Sequence, residues 1–339
     1  MRRKRSCYGA SASFEAPGPH ALPGKVAKYR AASYMPVMTS ENLETPNLDG
    51  ALAFTIPDRN ARGRLVRLGP SLNAILSAHG YPRAIENVLA EAIVLASLLG
   101  STLKDADGQL TLQAQTEKGV IDLLVADYRG GALRGYARHD AERLAEAPAD
   151  PTLFALFGKG YLAITFDLAS TNERYQGIVP LEGASLAEAA ESYFAQSEQI
   201  PSLVRIGIDR DAEGRLVGGG LMLQHLPEGE EGRERLHTRL DHPEWGHVAA
   251  LGGSVRADEL ADPDLPLQTL LWRLFNEDEV RVSATLPPRK GCRCDPDHVA
   301  RVIARFPEEE RAAMAGPDGR IEVNCEFCAR SFAIDPVTA

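Results

Sequence analysis

From Leu48 onward the chain alternates between two hydrophobic periods. Residues 64–68 read as a strand, and Gly69-Pro70 opens a helix reaching His79. Pro82 opens a longer helix with Ile85, Val88, Leu89, Ala92, Ile93, Ala96 and Leu99 on one face, at spacings of three and four. Period two then takes over. Leu110, Leu112 and Ala114 follow the Asp107-Gly108 turn, segment 120–126 comes next, and 132–138 follows Gly130-Gly131. Segments 161–168 and 174–181 pair as strands. Ser185 and Glu188 form a capping box for a helix closed by Pro201, and 203–208 with 215–223 make a further hairpin. Runs of strands broken by few helices predict an α+β fold, a layered sheet-and-helix core rather than a doubly wound parallel sheet.

Beyond this core, at residues 48–226, the texture changes. Residues 228–266 are charged, punctuated by Gly and Pro and weakly periodic, which predicts a marginally stable, partly helical linker over 227–287. Its end is more regular: Leu267, Leu270, Leu271 and Leu274 with Trp272 and Phe275 make a short apolar helix, and 280–284 a strand. Residues 1–47 are rich in Arg, Ser, Ala, Gly and Pro without hydrophobic period and are expected to be disordered. Their Arg-rich opening leaves three readings open: a transit peptide, a dispensable tail, or sequence upstream of a start at Met35 or Met38.

The distinctive chemistry lies in the remaining segment, 288–339. Four of the five cysteines form a C-x-C (Cys292, Cys294) and a C-x-x-C (Cys325, Cys328), while Cys7 stands far away. Two thiolate pairs brought together by a fold match a closed tetrahedral zinc site. Asp295-Pro296 reads as an N-cap and first-turn proline. Val299, Val302, Ile303 and Phe306 then form a helical stripe, and Pro307 starts a second helix through Met314. After the turn at Pro317-Asp318-Gly319, Ile321 and Val323 lead to a hairpin tip carrying Cys325 and Cys328, with the return strand at 331–334. Few large apolar residues are present, so metal should control folding here. Arg289, Lys290, Arg293 and Arg330 are expected to favour thiolate. Neighbours in sequence are the first candidates for disulfides on oxidation, although spacing does not fix connectivity.

Composition narrows the function. The chain is ordinary for a globular protein, 44% hydrophobic and 25% charged, but its net charge of −10 argues against general affinity for nucleic acid. No apolar run is long enough for a membrane span. Closely spaced cysteines without a secretory signal point to the cytoplasm. The core shows no G-x-S-x-G elbow and no P-loop, so no enzyme is expected. Gly158-Lys159-Gly160 and Gly218-Gly219-Gly220 read as a turn and a β-bulge rather than phosphate cradles. Half of the eight histidines fall between His225 and His247, but His237, His242 and His247 recur every five residues rather than at the i, i+4 spacing of helical metal ligands. From the cysteines alone, a redox switch stands against a permanent structural zinc knob or nucleic-acid-binding ribbon, with a thiol-disulfide oxidoreductase behind both.

The chain resembles the redox-regulated 33 kDa heat-shock chaperones. Besides the cysteine motifs, the resemblance rests on Gly160-Tyr161-Leu162-Ala163-Ile164-Thr165, Arg174-Tyr175-Gln176-Gly177, Tyr193-Phe194-Ala195-Gln196-Ser197-Glu198-Gln199-Ile200-Pro201, Gly219-Gly220-Leu221-Met222-Leu223-Gln224 and Leu271-Trp272-Arg273-Leu274-Phe275. It implies a core domain, a linker folded back on it and a C-terminal domain holding one Zn2+ on Cys292, Cys294, Cys325 and Cys328. It further implies that oxidation pairs Cys292 with Cys294 and Cys325 with Cys328, releases zinc and unfolds that domain and the linker. The opened form would hold unfolding client proteins without ATP, as a homodimer. The N-terminal extension departs from the family pattern.

Overall fold

The computed structural model describes residues 48–226 and 242–336 of the 339-residue chain. The expectations for residues 1–47 and for His237 lie outside them. The described chain begins with strands β1 (Gly50–Ile56) and β2 (Ala61–Leu68) and helices α1 (Pro70–Leu76) and α2 (Arg83–Gly100). A meander, β3 (Gln109–Thr116), β4 (Ile121–Arg129) and β5 (Ala132–His139), leads through short helices α3 (Ala141–Glu146) and α4 (Leu153–Phe157) to β6 (Gly160–Leu168) and β7 (Glu173–Pro180). Helix α5 (Leu186–Tyr193) precedes the hairpin β8 (Ser202–Arg210) and β9 (Leu216–His225). Next come α6 (Pro243–Gly253), α7 (Ala257–Ala261), α8 (Leu267–Phe275), β10 (Arg281–Ala284) and β11 (Arg289–Lys290). The chain closes with α9 (Pro296–Ile303), α10 (Glu308–Met314) and the hairpin β12 (Ile321–Asn324) and β13 (Ser331–Ile334).

The α+β architecture is as expected. A five-stranded antiparallel sheet, ordered β10-β1-β2-β9-β8, faces a six-stranded sheet ordered β11-β5-β4-β3-β6-β7. Helix α2 lies between them. Thirteen of its eighteen residues are buried, more than one face can supply, because it packs on both sheets at once. Its Val94 and Leu98 meet Gly218 and Gly220 of one sheet, and its Leu89 and Ile93 meet Gly135 of the other. A helix rich in Ala and Leu with no internal proline suits this central place.

The described part of the segment expected as linker, 242–287, is more regular than its composition suggests. Helices α6 to α8 cover the outer face of the five-stranded sheet, where Trp245, Val248, Leu260, Leu270, Leu271 and Phe275 join Phe54, Ile56, Leu65, Leu221 and Leu223 in a second hydrophobic cluster. Strand β10 then completes that sheet by pairing with β1. Gly218-Gly219-Gly220 is no β-bulge: the β2–β9 register runs through it without a shift. The glycines instead allow close approach from both sides, since a Cβ at Gly219 would overlap the Leu260 carbonyl.

Polar clamps hold the linker down as well. Arg67 is buried, and its guanidinium donates to the carbonyls of Glu259, Leu260 and Leu265. Burial lowers its pKa to about 10, so the charge is retained at neutral pH. Arg59 pairs with both Glu244 and Asp278, and His247 lies 3.1 Å from Asp278.

Candidate metal centre and its dock on the core

The C-terminal unit has a very small core. Ile303, Ile321 and Ile334 are the buried members of its hydrophobic cluster, with Val299, Ala300, Ala315, Val323 and Phe332 packed around them. The expected helical stripe is met only in part, because the two four-residue strands cover a narrow strip. Val302 and Phe306 are left exposed. Asp295 does cap α9, accepting the Asp297 amide, with Pro296 in the first turn.

This small scaffold brings all four predicted cysteines together. Cys292 and Cys294 lie in the loop between β11 and α9; Cys325 and Cys328 form the tip between β12 and β13. Backbone bonds fix the tip: the Cys325 amide donates to the Arg330 carbonyl and the Ala329 amide to the Cys325 carbonyl, with Ala329 in the left-handed region at φ 53°. All four sulfurs lie within 4.8 Å of one another. The Cys292–Cys325 and Cys294–Cys328 sulfur separations are both 3.5 Å. A tetrahedral ion with ligands at about 2.3 Å needs sulfurs about 3.8 Å apart, so this donor set fits one soft divalent cation such as zinc. No disulfide joins any of the four, and all are half-buried.

Their acidities are set by one another. Burial opposes ionisation of Cys292, but the Cys294 amide and the other three thiols donate to its sulfur and bring it down to about 7. Burial and those same contacts push Cys294 up to about 12 and raise Cys325. Three of the basic neighbours, Arg289, Lys290 and Arg293, turn to the core rather than to the sulfurs, contrary to the sequence expectation. Arg289 donates to the Gly130 carbonyl, Lys290 to the Ala74 carbonyl, and Arg293 to Gln109 and Asp127, all on the core.

The intervening residues of the two motifs therefore form the dock. Arg293, between the first two cysteines, lies 2.7 Å from the Asp127 carboxylate, which also accepts from Arg134 and Thr111. Asp127 is 2% exposed, so this carboxylate is deeply desolvated and matched by two guanidinium groups. Phe327, between the second pair, lies under the Arg134 guanidinium at 3.9 Å and edge-on to Tyr136, whose hydroxyl bonds Glu326. The backbone adds a parallel ladder: the Arg289 and Gly291 amides donate to the carbonyls of Gly131 and Leu133 beside β5. Sequence reading found the sulfurs but missed Asp127, Arg134 and Tyr136. The charged and aromatic residues inside the motifs were the available signal.

The histidines make no metal cluster among the described residues; His242 caps α6, and His225 stacks beside His242 and Trp245. No described helix is long and apolar enough to cross a membrane.

Comparison with known proteins agrees with this architecture. The family described as "Hsp33 protein" matches residues 49–335. The "33 kDa chaperonin" of Caulobacter vibrioides is 41% identical over 307 residues, covering 88% of this chain and 99% of that protein. The protein of the same name from Shigella boydii is 36% identical, covering 85% and 92%. The crystal structure of the Thermotoga maritima 33 kDa chaperonin superposes with a TM-score of 0.70 at 22% identity, over 86% of this chain and 96% of that one.

Proposed function

Because the chain belongs to the Hsp33 family, and so has a chaperone role, we propose that it is a cytoplasmic, ATP-independent holdase switched on by oxidation of its four-cysteine centre. The observation that carries the reading is the joint arrangement of sulfurs and dock: Arg293 and Phe327, whose side chains engage the core, lie between the cysteines. In the reduced chain Cys292, Cys294, Cys325 and Cys328 hold one Zn2+, which cross-links two segments whose own core is too small to keep them folded.

Oxidation replaces that cross-link by local ones. Two hydrogen peroxide molecules take four electrons from the four cysteine thiolates that would hold the ion and four protons from solvent. Four water molecules form, with one disulfide between Cys292 and Cys294 and another between Cys325 and Cys328. Neither bond joins the two segments, so the metal is released and the unit loses its frame. Arg293 and Phe327 then leave Asp127, Arg134 and Tyr136, and the chain following β10 is no longer anchored beside β5. Loss of α6 to α8 from the five-stranded sheet would uncover Phe54, Ile56, Leu65, Leu221 and Leu223, an apolar surface of the kind that binds unfolding chains. The active species is a homodimer, and the role is binding rather than catalysis.

The test is light scattering from a thermally unfolding client protein, without ATP, in the presence of reduced or peroxide-treated chain. Suppression of aggregation by the oxidised form alone is expected, and its loss on re-reduction. Equal protection by both forms would remove the redox switch, and none by either would remove the holdase. Cys328→Ser should lose tight stoichiometric zinc; retention with four-sulfur coordination would contradict the ligand set.

A further inference from the structure

A cavity of about 440 Å³ opens between the two sheets just beyond the C-terminal end of α2, away from the cysteines and the linker face. Its size falls within the roughly 300–1,000 Å³ of small-molecule sites. Phe166, Tyr175, Tyr193 and Phe194 supply aromatic walls, and Arg62 with Gln224 the polar wall.

The polar wall is unbalanced. Arg62 donates through Nε to the Gln224 side-chain oxygen at 3.1 Å; its Nη groups have no partner among the described residues. Gln224, itself 2% exposed, is held in that orientation by donating its amide to Ser202. Next along the same face of β2, Arg64 donates to the carbonyls of Ser101 and Gly63. No carboxylate of the described residues pairs with either guanidinium. Burial lowers the pKa of Arg62, and burial with the charge of Arg62 brings Arg64 down to about 10, so both remain cationic at neutral pH. The one carboxylate lining the cavity, Glu198, accepts instead from the Tyr193 hydroxyl at 2.6 Å.

Two partly buried cations with no carboxylate partner among the described residues favour the arrival of an anion. A planar guanidinium with free Nη groups matches a carboxylate in bidentate fashion. The geometry points to a binding site for a small carboxylic acid with an aromatic or aliphatic body, its carboxylate on the Nη groups of Arg62 and its apolar part against Phe166, Tyr175 and Phe194. This inference does not depend on the redox reading.

Isothermal titration of the reduced full-length chain with 3-phenylpropionate, and with the uncharged 3-phenylpropanamide, tests it. Saturable one-to-one binding of the acid is expected, with the amide weaker by about tenfold or more. Arg62→Gln should weaken the acid by about ten- to a hundredfold. Arg129→Gln, which alters an exposed pair on β4, should leave it unchanged. No saturable binding, equal affinity for acid and amide, or undiminished binding by folded Arg62→Gln would overturn the proposal. Should that variant not fold, the acid–amide comparison on the unaltered chain decides.

Discussion

Replacing Asp127 by Asn should loosen the C-terminal unit from the core without touching a cysteine. The carboxylate is shared by Arg134 and Arg293, and its side chain is 3% exposed against 21% and 26% for the two arginines. Breaking a fully buried pair by removing one partner costs about 3–5 kcal/mol. Here the guanidinium groups keep some contact with water and Asn keeps one acceptor for Thr111, so about 1–3 kcal/mol is expected. That energy corresponds to about 5- to 150-fold in the docking equilibrium. The Gly291 amide reports it directly, because it donates to the Leu133 carbonyl of the core only while the unit is docked. Amide hydrogen exchange at Gly291 and Arg289 should accelerate by that factor, while Leu112 in the central strand β3 keeps its protection. Zinc release under peroxide should quicken in parallel. If folded Asp127→Asn exchanges Gly291 as slowly as the parent chain, the ion pair does not hold the dock.

Arg67→Met should free the linker, since the carbonyls of Glu259, Leu260 and Leu265 lose their donor; a loss of about 2–4 kcal/mol should appear as faster proteolysis within 257–275, and unchanged cleavage would contradict it. Gly219→Ala should give the same cleavage pattern through overlap with the Leu260 carbonyl, and an unaltered pattern would show that α7 can shift to accommodate a methyl group. Glu91 predicts a pH dependence: burial, opposed by the backbone amides of Ala187 and Leu186, pushes its carboxyl from the usual 4.5 up to about 7. The folded chain then keeps a proton that the unfolded chain has released, so this group lowers stability as pH rises from about 4.5 to 7, with the full loss persisting above. Glu91→Gln should be more stable than the parent by about 1–3 kcal/mol near pH 8 and nearly equal near pH 4; urea denaturation showing the same difference at both values would refute it.

Much of this was legible because it depends on local period. Helix α2 declared itself through an apolar repeat with no interruption, and β3 to β6 through alternation between turn residues. The four sulfurs were equally plain, since a four-thiolate centre leaves its spacing in the chain. What remained hidden depends on partners distant in sequence. The glycines at 218–220 looked like an irregular strand, whereas Gly219 makes room for the Leu260 carbonyl more than forty residues away, and Gly218 and Gly220 make room for Val94 and Leu98 of α2. In β2, alternation puts Arg62 and Arg64 on one face and Arg67 on the other, but nothing local shows that Arg67 meets α7. The charged linker read as weakly periodic because its helices are short and partly held by ion pairs. The basic residues around Cys292 were misread for a related reason. Their charge was visible, but not the carbonyls and the Asp127 carboxylate on the core that engage three of them.

The most direct test of the central claim follows zinc and the linker together in one sample. Reduced, zinc-loaded chain is treated with peroxide, released zinc is read with a chromogenic chelator, and hydrogen exchange is recorded for 257–275 and for β3 to β6. The account predicts that 257–275 loses protection in step with zinc release, while β3 to β6 stay protected. Zinc leaving while 257–275 remains protected would contradict it, because the four-cysteine centre would then not govern the apolar face beneath the linker.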